Sequence, residues 1–161
     1  MPILLNLGCG DDIKGSFVNV DKFFPNIEST IHANIKGCDL SKSPWPWADS
    51  SIDGILAKDI IEHLPDKIKT MNEIWRVLKP NAIVHIEVPT TDGPGAFQDP
   101  THCSFWNRPS FWYFEHGNVY RDRFAESYGT FAAFAVVKEA MIETSDGPKL
   151  IIDLRAIKNA D

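Results

Sequence analysis

Ile3 to Gly10, Ile-Leu-Leu-Asn-Leu-Gly-Cys-Gly, is an apolar run that ends in two glycines one residue apart. Such a run reads as a buried parallel strand, and Gly8 and Gly10, which have no Cβ, let a ligand lie against the peptide groups around Cys9. A second β-rich run, Phe17 to Asp21, closes on a carboxylate, the arrangement in which an acid at a strand tip accepts hydrogen bonds from both hydroxyls of a ribose. Cys38-Asp39-Leu40 and Ala57-Lys58-Asp59 are further small or polar residues at strand ends. If the strands are parallel these tips share one crevice, because ligands of open α/β sheets sit outside the carboxyl ends of the strands. By residue type alone Asp21 is equally a turn former and Asp39 equally a cap. Farther along, Asp99-Pro-Thr-His102 offers an imidazole that could take a proton and a carboxylate that could orient it, or a loop stapled by its own hydrogen bonds. His63 is open in the same way, as a base or as the cap of a short helix.

The elements that must hold these residues follow from periodicity. Strands are expected over Ile3–Leu7, Phe17–Asp21, a short run before Cys38, Ile52–Leu56 and Ala82–Val88. Lys58–Leu64 reads as a helical turn, and Pro65 opens a helix whose Ile68, Met71, Ile74, Trp75 and Leu78 make one buried face before Pro80 stops it. Only six residues separate Gly10 from Phe17, too few for an ordinary helical crossover, so the first crossover helix should be short or missing. Residues 22–35 read as a loop with a short turn of helix. Thr90 to Thr130 is long for a connection and marks an acceptor-side insertion or lid. Its Phe105, Trp106 and Trp112 could stack on a sugar face or form the loop's own core. Phe131–Ile142 and Leu150–Ile157, joined by a Gly-Pro turn, read as a C-terminal hairpin.

The chain of 161 residues fits a single domain over 1–161. With 43% hydrophobic and 24% charged residues it has an ordinary globular composition. The absence of a long apolar run and of a leader pattern makes the cytoplasm the expected compartment and excludes a membrane partner. A net charge of −6 argues against an extended nucleic-acid surface, leaving room for a local basic patch around Lys58, Lys67, Lys69, Arg121 and Arg123. Cys9, Cys38 and Cys103 are scattered, so neither a disulfide framework nor a zinc site is expected, and no metal is assigned.

Leu5-Asn-Leu-Gly-Cys-Gly10, Asp21, Asp39-Leu40, Trp47 to Ala57, Ile61-Glu-His-Leu-Pro-Asp66 and Glu73 to Pro80 stand in the order of one family. The sequence resembles the class I S-adenosylmethionine-dependent methyltransferases of the type 11 group. The resemblance implies an α/β, Rossmann-like three-layer sandwich: a mostly parallel seven-stranded sheet with an antiparallel C-terminal hairpin. It implies S-adenosylmethionine as cofactor and S-adenosylhomocysteine as product, bound by Asn6, Gly8, Cys9, Gly10, Asp21, Asp39, Leu40, Ala57 and Lys58. Asp39 would bond the adenine amino group and the main chain of Leu40 would recognise the ring. The residue two before the first glycine is usually acidic in the family, and Asn6 brings no charge to the methionine end, so weaker cofactor binding is expected.

The Asp-Pro-Thr-His segment resembles a subset of that group often encoded beside glycan or nucleotide-sugar genes. It implies O-methylation of a small-molecule or saccharide-like acceptor, with His102 as catalytic base and Asp99 beside it. A non-catalytic relative that binds S-adenosylmethionine or S-adenosylhomocysteine is the alternative. A nicotinamide oxidoreductase is disfavoured by Ile13, which stands where the third glycine of Gly-x-Gly-x-x-Gly would pack. A second copy of the chain could shield the crevice of so short a protein, as a homodimer.

Overall fold

A computed structural model of the chain describes residues 1–23 and 34–158, so most of the loop expected over 22–35 lies outside the described residues. Seven strands form one sheet: β1 (Leu4–Leu7), β2 (Val18–Asp21), β3 (Ile35–Gly37), β4 (Ile52–Lys58), β5 (Leu78–Pro89), β6 (Phe134–Thr144) and β7 (Gly147–Ala156), in the order β3-β2-β1-β4-β5-β7-β6. The first five are parallel, and β7 runs antiparallel to both β5 and β6. This is the sheet the sequence led us to expect, with its C-terminal hairpin at one edge. Leu5, Leu7, Val20, Ile55, Val84, Ile86, Ile152 and Leu154 are buried and join the strands into one core. Helices are few: α1 (Lys67–Val77), α2 (Gly95–Gln98) and α3 (Val119–Tyr128), with 3-10 turns at Ile61–His63 and Arg108–Phe114. No helix among the described residues is long and apolar enough to cross a membrane.

The link from β1 to β2 has no helix, and buried amides take its place. Asn6 lies opposite Asn19 in the parallel register. Its Nδ2 donates to the Asp12 carbonyl at 2.8 Å and to Asn19 Oδ1 at 2.9 Å. The same Asn19 oxygen accepts the Lys14 N–H at 2.9 Å, while Asn19 Nδ2 donates to the Lys14 carbonyl at 3.0 Å. Asn6 and Asn19 are buried, so their amides need partners, and they find them in each other and in the main chain of the link.

Several boundaries differ from expectation for local reasons. α1 starts at Lys67, not Pro65, because the Asp66 carboxylate accepts the Lys69 N–H at 2.9 Å and caps the helix. β5 begins at Leu78 rather than Ala82. The turn expected at Pro80-Asn81 survives inside it as an irregularity, with Asn81 at φ +66°. β4 runs on to Lys58, which shortens the expected helical turn to Ile61–His63. β6 begins at Phe134, three residues after the expected start at Phe131.

The 90–130 segment is packed down rather than loose. Trp106, Phe111 and Phe114 are buried, and Trp106 belongs to the core instead of offering a stacking face. Phe105 is exposed and stacks on Phe97, and Trp112 rests on Tyr120 with ring centroids 5.3 Å apart. On the other side of the sheet's loops, Arg76 of α1 donates to Glu73, Asp49 and the carbonyls of Trp45 and Trp47, and Glu73 accepts the Trp45 N–H at 2.6 Å. Burial opposes ionisation of Glu73, but the hydrogen bonds from Arg76 and Trp45 outweigh it and hold the carboxyl below its ordinary range.

Candidate functional site

A cleft of about 390 Å³ opens at the carboxyl ends of the parallel strands, between Gly8, Gly10, Asp21, Asp39, Leu40 and Ile60. Gly8 and Gly10 both have positive φ, +61° and +45°. A Cβ on Gly8 would come within 2.5 Å of the Ile60 side chain, so glycine is required there for both backbone and space. Asp21 is held before any ligand arrives: Oδ2 accepts the Gly10 N–H at 3.0 Å and Oδ1 the Phe23 N–H at 2.9 Å. Asp39 is both a cap and a wall of the cleft. Its Oδ1 accepts the hydroxyl and N–H of Ser41, which hold its carboxyl below the usual range, and Lys42 approaches the other oxygen at 3.4 Å. Leu40 is buried, and its carbonyl accepts the Trp45 indole N–H at 3.1 Å.

The other four residues expected at the cofactor do not line this cleft. Asn6 is spent on the β1–β2 link. The Cys9 side chain is buried, which, with Asp21 nearby, pushes its thiol up to about 11. Ala57 is core, and Lys58 is exposed and faces Glu87 at 3.5 Å. Conversely, Ile60, His63, Leu64 and Thr101 line the cleft without having been singled out for it. Nothing local marks them, since they reach the cleft only through the turn after β4 and the fold-back of the 99–102 segment.

A second cavity of about 240 Å³ adjoins the first and is lined by Asp59, Glu62, His63, Asp99, His102 and Lys149 among others. Asp59 and His63 border both spaces. Asp59 sits at φ +50° with its carboxylate 2.7 Å from the Lys149 ammonium. The Asp99–His102 segment also touches both, Thr101 facing the cleft while Asp99 and His102 face the cavity. It is anchored by the Cys103 and Ser104 N–H groups, which donate to the Glu62 carbonyl at 2.9 and 3.0 Å.

Hydrogen bonds fix the protons in this cavity. His102 Nδ1 lies 3.0 Å from the Ala96 carbonyl, which can only accept, so Nδ1 carries the proton and Nε2 presents a lone pair. The Thr101 hydroxyl donates to Asp99 Oδ1 at 2.7 Å, which leaves its oxygen to accept from His63 Nδ1 at 3.0 Å. His63 therefore also presents Nε2. The hydroxyl and N–H of Thr101 hold the Asp99 carboxyl below its ordinary range, and Asp99 Oδ2 stands 3.9 Å from His102 Nε2. Glu62 is the opposite case: it is 2% exposed and its Oε2 has no hydrogen-bond partner among the described residues. Burial above all pushes its carboxyl up to about 8, with Asp59 and Asp99 adding to the effect.

Residues 12–86 match the type 11 family described as a methyltransferase domain. No curated protein matches the chain by sequence. Among solved structures, a methyltransferase in complex with the Trm112 methyltransferase activator from Haloferax volcanii superposes with a TM-score of 0.67 at 16% identity, over 98% of this chain and 83% of that one. The 16S rRNA (adenine(1408)-N(1))-methyltransferase of Catenulisporales acidiphilia gives 0.61 at 12% identity, over 99% and 87%. The 1,6-didemethyltoxoflavin-N1-methyltransferase of Burkholderia thailandensis gives 0.63 at 14% identity, over 98% and 72%. At such identities the likeness is one of fold.

Proposed function

We propose, for a chain that is a class I methyltransferase of the type 11 group, transfer of a methyl group from S-adenosylmethionine to a hydroxyl of a small, saccharide-like acceptor. The observation that carries this reading is the shared wall. One space lies against the glycine turn and two strand-end carboxylates, a polar one lies beyond it, and Asp59 and His63 border both.

The residues of the first space fit an adenosyl group. Asp21, already oriented by Gly10 and Phe23, keeps lone pairs for the ribose hydroxyls. Asp39 and the Leu40 main chain face the base, and Gly8 to Gly10 admit the ligand to the backbone. Asn6, Cys9 and Ala57 support that surface from behind, while Lys58 lies exposed against Glu87. S-adenosylmethionine, when bound, supplies a sulfonium methyl whose C–S bond breaks with both electrons passing to sulfur.

The chain's own task is alignment and removal of the acceptor proton. The acceptor oxygen uses a lone pair to form the new C–O bond, and its proton passes to His102 Nε2 or to Asp99 Oδ2, two acceptor atoms on that side. The single domain over 1–161 uses its 90–130 segment as the acceptor-side cover. Asp59, Asp99 and Asp146 against one Lys149 favour a hydroxyl-rich, uncharged acceptor over an anionic one.

Purified protein is expected to bind S-adenosylhomocysteine by calorimetry and to transfer labelled methyl to a neutral sugar from an acceptor panel. A protein that binds neither S-adenosylmethionine nor its product would end the proposal. Binding without transfer to any acceptor would favour the second reading, a cofactor-binding relative without catalysis, which is motivated by the engagement of Asn6 where the family usually has an acid.

A further inference from the structure

We infer that Glu62, His63 and His102 form a binding site for one divalent transition-metal cation on the wall between the two spaces. One ring nitrogen of each histidine and one carboxylate oxygen of Glu62 lie within 4.8 Å of one another. Donors at about 2.0–2.2 Å from a metal lie no more than about 4.2 Å apart, so small side-chain rotations of about 1 Å close the set. Two imidazoles and one carboxylate suit zinc, cobalt or ferrous iron more than magnesium or calcium, which prefer oxygen.

Three features separate this cluster from a chance gathering of polar groups. First, each histidine has its Nδ1 proton held by an oxygen, the Ala96 carbonyl for His102 and the Thr101 hydroxyl for His63, both at 3.0 Å. That is the outer-shell arrangement that aims Nε2 of a ligating histidine and fixes its tautomer. Second, the chain is rigidly tied at this point, because the Glu62 carbonyl accepts two N–H groups from the segment that carries His102. Third, Glu62 Oε2 is buried in the cavity wall and has no hydrogen-bond partner among the described residues. A buried polar atom without a partner is destabilising, and a cation seated between the rings would satisfy it. Glu62 and His63 are neighbours in the chain but His102 lies 39 residues on, and the set includes no cysteine, which is why cysteine spacing gave no hint of it.

Three protein ligands leave coordination positions open toward the cavity, where an acceptor bearing adjacent hydroxyls would complete the sphere. With His102 engaged, Asp99 Oδ2, 3.9 Å from His102 Nε2, is the proton acceptor that remains. This consequence for the acceptor rests on the reading of the cavity as the acceptor side; metal binding itself does not.

The test is titration of the chelator-stripped full chain with cobalt(II), followed by its visible absorption. Wild type and Cys103→Ser are expected to take up one cobalt with bands of low-symmetry coordination. His63→Ala and His102→Ala are expected to lose more than about tenfold in affinity, and Thr101→Val about tenfold through the outer shell. Circular dichroism reports whether each variant is folded. In wild type, which needs no variant, cobalt should broaden the ring resonances of His63 and His102 selectively. Broadening centred on other histidines, no uptake at millimolar cobalt, or unchanged uptake by a folded His63→Ala/His102→Ala double variant would overturn the inference. Binding of S-adenosylhomocysteine by wild type in chelator is measured separately, so that loss of the metal inference leaves the methyltransferase reading standing, and the reverse.

Discussion

The Asp21 carboxylate accepts the Gly10 N–H at 3.0 Å, so the tip of β2 and the turn after β1 are fastened to each other across the mouth of the cleft. A carboxylate fixed in this way does not lose rotamer freedom when a ribose arrives, which favours binding.

Asp21→Ala is therefore expected to lower S-adenosylhomocysteine affinity by about ten- to hundredfold, the worth of one or two hydrogen bonds to a charged group. Calorimetric titration measures it. Unchanged affinity would remove Asp21 from the ribose role.

Gly8→Ala should destabilise the fold by roughly 1–3 kcal/mol, since the residue sits at positive φ and its new Cβ would strike Ile60. Ile60→Ala should rescue it only in part, because the Ile60 Cβ itself lies 2.7 Å from the added atom. Thermal unfolding of the single and double variants decides, and full rescue would mean that backbone conformation contributes nothing.

His102→Ala is expected to slow methyl transfer by about a hundredfold or more while S-adenosylhomocysteine affinity holds, because the ring lines the second cavity and not the cleft. Single-turnover rates and calorimetry read the two quantities. A parallel loss of both would place His102 in the cofactor's support instead.

Restoring an acid at position 6 should harm this protein. In Asn6→Asp the oxygen that replaces Nδ2 can only accept, yet it would face both Asn19 Oδ1 and the Asp12 carbonyl, which now take the two amide protons. The expected loss is roughly 2–4 kcal/mol in urea unfolding, from a buried charge without a donor. A variant as stable as wild type would show that the clasp is dispensable.

The Glu73–Arg76 pair predicts an acid-labile stability term. A carboxyl held below its unfolded value stabilises the fold at all pH above the ordinary glutamate range and loses that contribution as pH falls through its lower folded value. Glu73→Gln should cost roughly 1.5–3 kcal/mol at pH 7 and show a shallower decline below about pH 4 than wild type. Urea midpoints from pH 3 to 7 test this, and identical acid slopes would contradict it.

Much of this architecture was legible in the residues. The Ile3–Gly10 run, the apolar face of α1 and the hairpin around Gly147 are local signals, where period and turn chemistry decide the outcome without help from the rest of the chain. Asp21 and Asp39 were legible because strand ends of a parallel sheet converge. The Asn6–Asn19 clasp was not, because it depends on the register of β1 against β2, which sequence alone leaves free. Nor could spacing bring His63 to His102: their rings meet edge to face at 4.8 Å only because the 99–104 segment folds back onto the turn after β4. Trp106 looked like a candidate for stacking on a ligand, and its burial follows from the pairing of its backbone with Thr90 and Thr91.

Asp59 and His63 also impose thermodynamic reciprocity. A guest on one side that shifts either side chain changes affinity on the other, and by the same factor in both directions. Product inhibition and order of addition would then depend on two residues, open to tuning without touching Gly8, Gly10, Asp21 or Asp39.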